Sequence, residues 1–200
     1  MIQQFYLDKR PHNGLTYDEY FKLFKEKVEN TDPDSLQEEA RKYLEYSKLN
    51  FQRSTRIHKT YSVDPQLKEA IENITLNQLW MVITENWCGD SAQNLPFIAE
   101  IGKLSAKISL RIVLRDSNPD IIDLYLTNGT RSIPKLVAFD ESGNELFQWG
   151  PRPKPAQELV TKLKNEGMTH DKFIEQLHLW YGKNHGKELE YEFKRILGAE

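Results

Sequence analysis

The residues with the clearest chemical potential are Trp87-Cys88-Gly89-Asp90-Ser91, which hold the chain's single cysteine. Upstream, Leu79-Trp80-Met81-Val82-Ile83 is a short, apolar, partly β-branched run that reads as a buried strand. Downstream, Ala92, Leu95, Ile98, Ala99, Ile101 and Leu104 recur at three- and four-residue intervals and predict a helix. Cys88 is thus expected at a strand-to-helix junction, where unpaired N–H groups and the positive end of the helix dipole favour thiolate over thiol. A cysteine of pKa about 8.5 is only about 3% ionised at pH 7, whereas one lowered to about 7 is half ionised. The Ser91 hydroxyl, three positions on, is expected to donate a hydrogen bond to the sulfur. Asp90 opposes it, since a carboxylate at about 6 Å costs a thiolate on the order of 1 kcal/mol. Asp90 equally suits the first turn of a helix with no catalytic role. A lone cysteine is often a small buried hydrophobe, but the flanking tryptophan and glycine, the helix start and Pro96 inside that helix argue for chemistry.

This motif resembles the Trp-Cys-Gly-Pro-Cys active site of thioredoxins, with aspartate for proline and serine for the second cysteine. Pro96 falls where thioredoxins carry the proline that kinks the active-site helix. Arg131-Ser132-Ile133-Pro134-Lys135-Leu136-Val137 is similar to the loop whose Ile-Pro bond is cis and faces the active-site sulfur. Ile112-Val113-Leu114 and Asp116-Ser117-Asn118-Pro119 are similar to a thioredoxin strand and the helix start after it, so the likeness spans about residues 79 to 163. It implies an α/β fold, a thioredoxin-like three-layer arrangement with a central mixed sheet. The resemblance further implies that Ile133, beside Pro134, pairs with a bound substrate segment and that Trp87 forms part of an exposed rim. Two departures bear on activity. Ser91 replaces the resolving cysteine, so no intramolecular disulfide can form, and Val82 replaces the buried aspartate that helps activate that second thiol.

Three functions follow as alternatives. In the first, Cys88 is a monothiol whose thiolate attacks a disulfide and forms a mixed disulfide, which an external small thiol releases as co-substrate; the expected partners are a disulfide-containing protein or a low-molecular-weight thiol. The second is a thioredoxin-fold interaction module without redox activity. The third borrows from monothiol glutaredoxins, whose Cys-Gly-Phe-Ser motif resembles residues 88–91 and ligates an iron–sulfur cluster; Trp87 and Asp90 speak against it. Arg131 lies close enough in sequence to the Pro134 loop to offer a cation to the thiol or to Asp90, or else it is an ordinary surface arginine.

The rest of the chain must position these residues. With 38% hydrophobic and 28% charged residues, its 200 positions can bury a core. No run approaches the eighteen or so apolar residues of a membrane span, and Met1-Ile2-Gln3-Gln4-Phe5 lacks a basic segment leading into an apolar signal core, so a cytoplasmic location is expected. One cysteine fits a reducing compartment. A net charge of −3 gives no global attraction to nucleic acid, and His170, His178 and His185 lack the neighbours of a zinc site, most of them reading as surface residues; no metal or other cofactor is expected.

Three segments are expected: a helical extension over 1–75, a thioredoxin-like domain over 76–166 and a C-terminal helical extension over 167–200. Thr16-Tyr17-Asp18-Glu19 predicts a capping box for a helix with Tyr20, Phe21, Phe24 and Val28 on one stripe. Asp32-Pro33-Asp34 predicts a second helix start, with basic residues gathered at Arg53 to Lys59, and Asp64-Pro65 a third. These helices stand where thioredoxins usually begin with a strand and a helix, so that first strand is expected to be missing or replaced. A helix from Asn118 to Asn128-Gly129, a hairpin around Asp140 to Asn144, extended chain over 150–155, a helix from Ala156 to Lys164 and a C-terminal helix or helix pair packed on the N-terminal helices complete the reading.

Overall fold

In the computed structural model, which describes residues 2–199, the chain enters through a one-turn helix, α1 (Gln4–Leu7), and then builds the predicted capping box. Thr16 Oγ1 accepts from Glu19 N at 3.2 Å while Glu19 Oε2 accepts from Thr16 N at 2.8 Å, starting α2 (Tyr17–Asn30). We predict that Thr16→Ala costs about 1 kcal/mol in urea denaturation, because the orphan N–H of Glu19 loses its acceptor. Asp32-Pro33-Asp34 does not start a long helix. The Asp32 carboxylate accepts from Asp34 N at 3.0 Å and closes one 3₁₀ turn over Pro33–Ser35. Leu36 and Gln37 then run extended before α3 (Glu38–Thr60) begins. Asp64 caps α4 (Pro65–Glu72), accepting from Gln66 N and Leu67 N.

The central strand β1 (Gln78–Thr84) leads through the Cys88 motif into α5 (Gly89–Gly102), then β2 (Ile108–Leu114), the single turn α6 (Pro119–Ile122), β3 (Lys135–Asp140) and β4 (Glu145–Trp149). The sheet order is β2-β1-β3-β4, with β1 parallel to β2 and antiparallel to β3. Among the described residues, Leu15 alone bridges to the open edge of β2, at Ile112. Among the described residues no strand occupies the place of a leading thioredoxin strand. Trp80 and Val82 face one side of the sheet, and Met81 and Ile83 the other, where Phe5, Tyr6, Ile121 and Ile122 cover them. Helices thus lie on both faces of a mixed sheet.

The helix expected to reach Asn128 ends at Ile122 instead, because Leu124 N and Tyr125 N bond back only three residues. Asn128 and Gly129 adopt φ +50° and +74° in a tight turn between Thr127 and Thr130. The predicted hairpin is held by the Asp140 carboxylate, which accepts from Ser142 N and Asn144 N at 2.9 Å. Beyond it, α7 (Lys154–Asn165) starts earlier than expected, since Pro155 in the first turn has no N–H to leave unpaired.

The C-terminal segment is a helix pair, α8 (His170–Asn184) and α9 (Lys187–Ile196), joined through His185 and Gly186 in left-handed backbone. α9 meets the N-terminal helices, with Lys194 paired to Asp64 at 3.4 Å and Glu190 accepting from Tyr61 Oη at 2.7 Å. Its Phe193 is fully buried against Trp80 and Trp149. α8 packs on α7 through Phe173, Leu177 and Tyr181 against Ala156 and Val160. Because the main core draws on Tyr20, Leu95, Trp149 and Phe193 together, all three expected segments contribute to one packed interior.

Candidate active site

Cys88 is the N-cap of α5, with extended backbone at φ −79° and ψ 120°, at the expected strand-to-helix junction. Cys88 as a residue is half-buried, with its sulfur turned inward, and Sγ donates to the Ile133 carbonyl at 3.3 Å. The Ile133–Pro134 peptide is cis and both residues are buried. Residues 45 positions apart in sequence are thereby brought face to face.

The loop before the sulfur is pinned from α3. Asn50 Nδ2 donates to the Asn86 carbonyl at 3.1 Å, Ser47 Oγ to Asn86 Oδ1 at 3.3 Å, and Ser54 Oγ to Ala92 O at 3.4 Å. Small polar residues on the buried face of α3 let it approach α5 closely. Trp87 is partly exposed; Tyr43 of α3 stands edge-on to its ring at 5.7 Å and the Arg115 guanidinium lies 4.6 Å from it. The rim around the sulfur is therefore shared with the N-terminal helical segment.

The expected stabilised thiolate is not what this geometry produces. Burial, followed by the Asp90 carboxylate, pushes the Cys88 thiol up to about 11. The buried Ser91 hydroxyl makes no hydrogen bond, so the expected donation to the sulfur is not formed in the resting protein; its effect on a thiolate and that of the N–H groups of Ser91 and Asp90 pull the pKa down and lose. A helix terminus contributes at most about 2 kcal/mol, which a thiolate loses once it is removed from water.

Asp90 is no solvent-facing first-turn acid. Its carboxylate is buried, with Oδ2 2.6 Å from Arg152 Nη2 and Oδ1 accepting from Arg152 Nε at 2.9 Å and from Tyr181 Oη at 2.8 Å. Asn94 Nδ2 closes the network, donating to the Asp90 carbonyl at 2.8 Å and to Tyr181 Oη at 3.0 Å. Arg131, expected to present its charge to the thiol or to Asp90, is exposed and forks onto Asp123 with both contacts at 2.6 Å. Sequence reading missed Arg152 and Tyr181; the available signal was an arginine held between Pro151 and Pro153 directly after a strand.

His178 also departs from the surface reading. It lies against Gly89, where a Cβ would come within 2.9 Å of its Nε2, and its Nδ1 accepts from Gln93 Nε2 at 3.2 Å. Burial, aided by Arg53, lowers its pKa to about 4, so it is neutral at physiological pH. Arg53, from the basic end of α3, lies 3.8 Å from the same point over Gly89, so that end does approach the motif. His170 and His185 are exposed.

A family model described as Thioredoxin matches residues 37–164, from the N-cap of α3 into α7. Among solved structures, a Pseudomonas aeruginosa protein of unknown function is similar with a TM-score of 0.56 at 19% identity, covering 92% of this chain and 96% of that one. An HIV epitope-scaffold is similar with the same TM-score at 20% identity, covering 92% and 97%. At these identities the likeness is one of fold. No curated protein matches the chain. Among the described residues no helix is long and apolar enough to cross a membrane.

Proposed function

We propose, from the premise that the chain belongs to the thioredoxin family, that it performs one-cysteine thiol–disulfide exchange through Cys88. The observation carrying this reading is the Cys88 thiol on a helix N-cap, 3.3 Å from the carbonyl that precedes cis-Pro134. In the resting protein that carbonyl holds the S–H. A substrate strand whose N–H takes the Ile133 carbonyl displaces this bond and leaves the thiol free to ionise. The thiolate then attacks one sulfur of the disulfide; a Cys88–S–S–R bond forms, the original S–S bond breaks, and the other sulfur leaves as thiolate. An external small thiol attacks the substrate sulfur, forms a new disulfide with it, and returns Cys88 as thiol after protonation. No second cysteine is needed, and a reducing compartment such as the cytoplasm supplies the external thiol.

With the thiol near 11, on the order of one molecule in ten thousand is ionised at pH 7. Alkylation by iodoacetamide is therefore expected to accelerate about tenfold per pH unit from 7 to 10, where an ordinary thiol has already levelled off. Incubation with a low-molecular-weight disulfide at pH 9 is expected to add one mixed-disulfide mass, absent in Cys88→Ser. Adducts that persist in that variant defeat the assignment. Failure to form any adduct at pH 9 favours the second reading, an interaction module without redox activity, which the same burial of the thiol supports.

A further inference from the structure

Lys135, the first residue of β3, is only 7% exposed. Among the described residues no carboxylate, carbonyl or hydroxyl lies within hydrogen-bond or ion-pair distance of its ammonium, and burial lowers its pKa with no opposing charge to compensate. The side-chain stem is enclosed, while the ammonium keeps a solvent-accessible face where the residue lines the neighbouring cleft. Lys135 lines a solvent-open cleft of about 930 Å³ between the end of β4 and α7. Gly150, at φ +110°, shapes this corner: a Cβ there would fall 2.2 Å from the Pro134 carbonyl, so glycine alone lets the segment carrying Arg152 approach the strand carrying Lys135.

The other charges lining the cavity are already engaged. Arg152 is held by Asp90 and donates to Gln157 Oε1 at 2.9 Å. The Glu192 carboxylate accepts from Trp149 Nε1 and from Lys154 N, both at 2.6 Å. Lys154 faces Glu158 at 4.0 Å and Lys162 faces Glu166 at 3.9 Å. Lys135 is the lining charge left without a partner.

We propose that this cavity binds a small organic anion, an oxyanion of carboxylate or phosphate type on a compact, partly apolar body, with Lys135 as its counter-charge. The volume falls within the range of small-molecule sites, about 300–1,000 Å³, and exceeds what a bare ion fills. Trp149 and Pro151 supply apolar wall, and Gln148 and Thr161 supply hydrogen-bonding groups. The proposal stands apart from thiol exchange, since the cavity uses neither Cys88 nor Ile133.

The test uses the full chain with three probes of similar shape: benzoate, phenyl phosphate and neutral benzamide, followed by calorimetry and by backbone amide shifts. At least one anion is expected to bind saturably, with shifts centred on Lys135, Gln148 and Thr161, and benzamide is expected to bind at least tenfold more weakly. Benzoate alone would identify a carboxylate ligand, and phenyl phosphate alone a phosphate. Lys135→Met is expected to weaken anion binding at least tenfold while melting no lower than the parent, because methionine fills the space without an unpaired charge. Equal binding of benzamide, undiminished binding by Lys135→Met, a lower melting temperature in that variant, or no saturable binding of either anion would each overturn the proposal.

Discussion

Arg152→Met is expected to destabilise the protein by about 3–5 kcal/mol, the cost of leaving one half of a buried ion pair without the other. Both side chains are largely enclosed, at 19% and 10% exposure, and the guanidinium meets the Asp90 carboxylate through Nε and Nη2. Methionine matches much of the volume but leaves Asp90 with Tyr181 Oη as its remaining side-chain donor. Denaturation in urea measures the loss. In the double variant Asp90→Asn with Arg152→Met, the cost should fall well below the sum of the two single variants, because neither leaves a charge behind. A loss under about 1 kcal/mol in Arg152→Met would mean that the pair behaves like a solvated surface bridge.

Asp90→Asn is expected to raise the reactivity of Cys88 by at least about tenfold at pH 8. Two effects act in the same direction. The carboxylate that raises the thiol pKa is removed, and Arg152, which is electrostatically coupled to Cys88, is left without its counter-ion. One unit of pKa is one factor of ten in thiolate well below the titration point. The sign is open to direct check: alkylation against pH should show the apparent pKa moving down from about 11 in Asp90→Asn. An unchanged profile would show that burial alone sets the ionisation. The same carboxylate thus anchors the start of α5 and raises the thiol pKa.

The residues that close rings over short distances were legible. Thr16 and Glu19 lie three positions apart, Asp64 caps the next two N–H groups, and Asp140 organises its own hairpin, so sequence spacing contains the whole interaction. The β1 run and the α5 periodicity were legible because apolar residues recur at different intervals in a strand and a helix, although α5 is buried on nearly every side and its polar positions Asp90, Gln93 and Asn94 are covered too. Asp32-Pro33 misled for a related reason: the same carboxylate that can cap a helix can close a single turn, and only Leu36 and Gln37 running extended decides between them.

Taken alone, the sequence determined that a single cysteine stands where a buried strand gives way to a helix; that the Ile133-Pro134 loop faces it was implied only by resemblance and is placed by the structure. Tertiary structure decided the chemistry of that cysteine. Arg152 and Tyr181 reach Asp90 across 62 and 91 residues, α3 closes over Trp87 and Asn86, and the sulfur loses water to neighbours that no local pattern names. Ionisation depends on desolvation and on charges gathered from distant parts of the chain, and both arise only when those parts pack together.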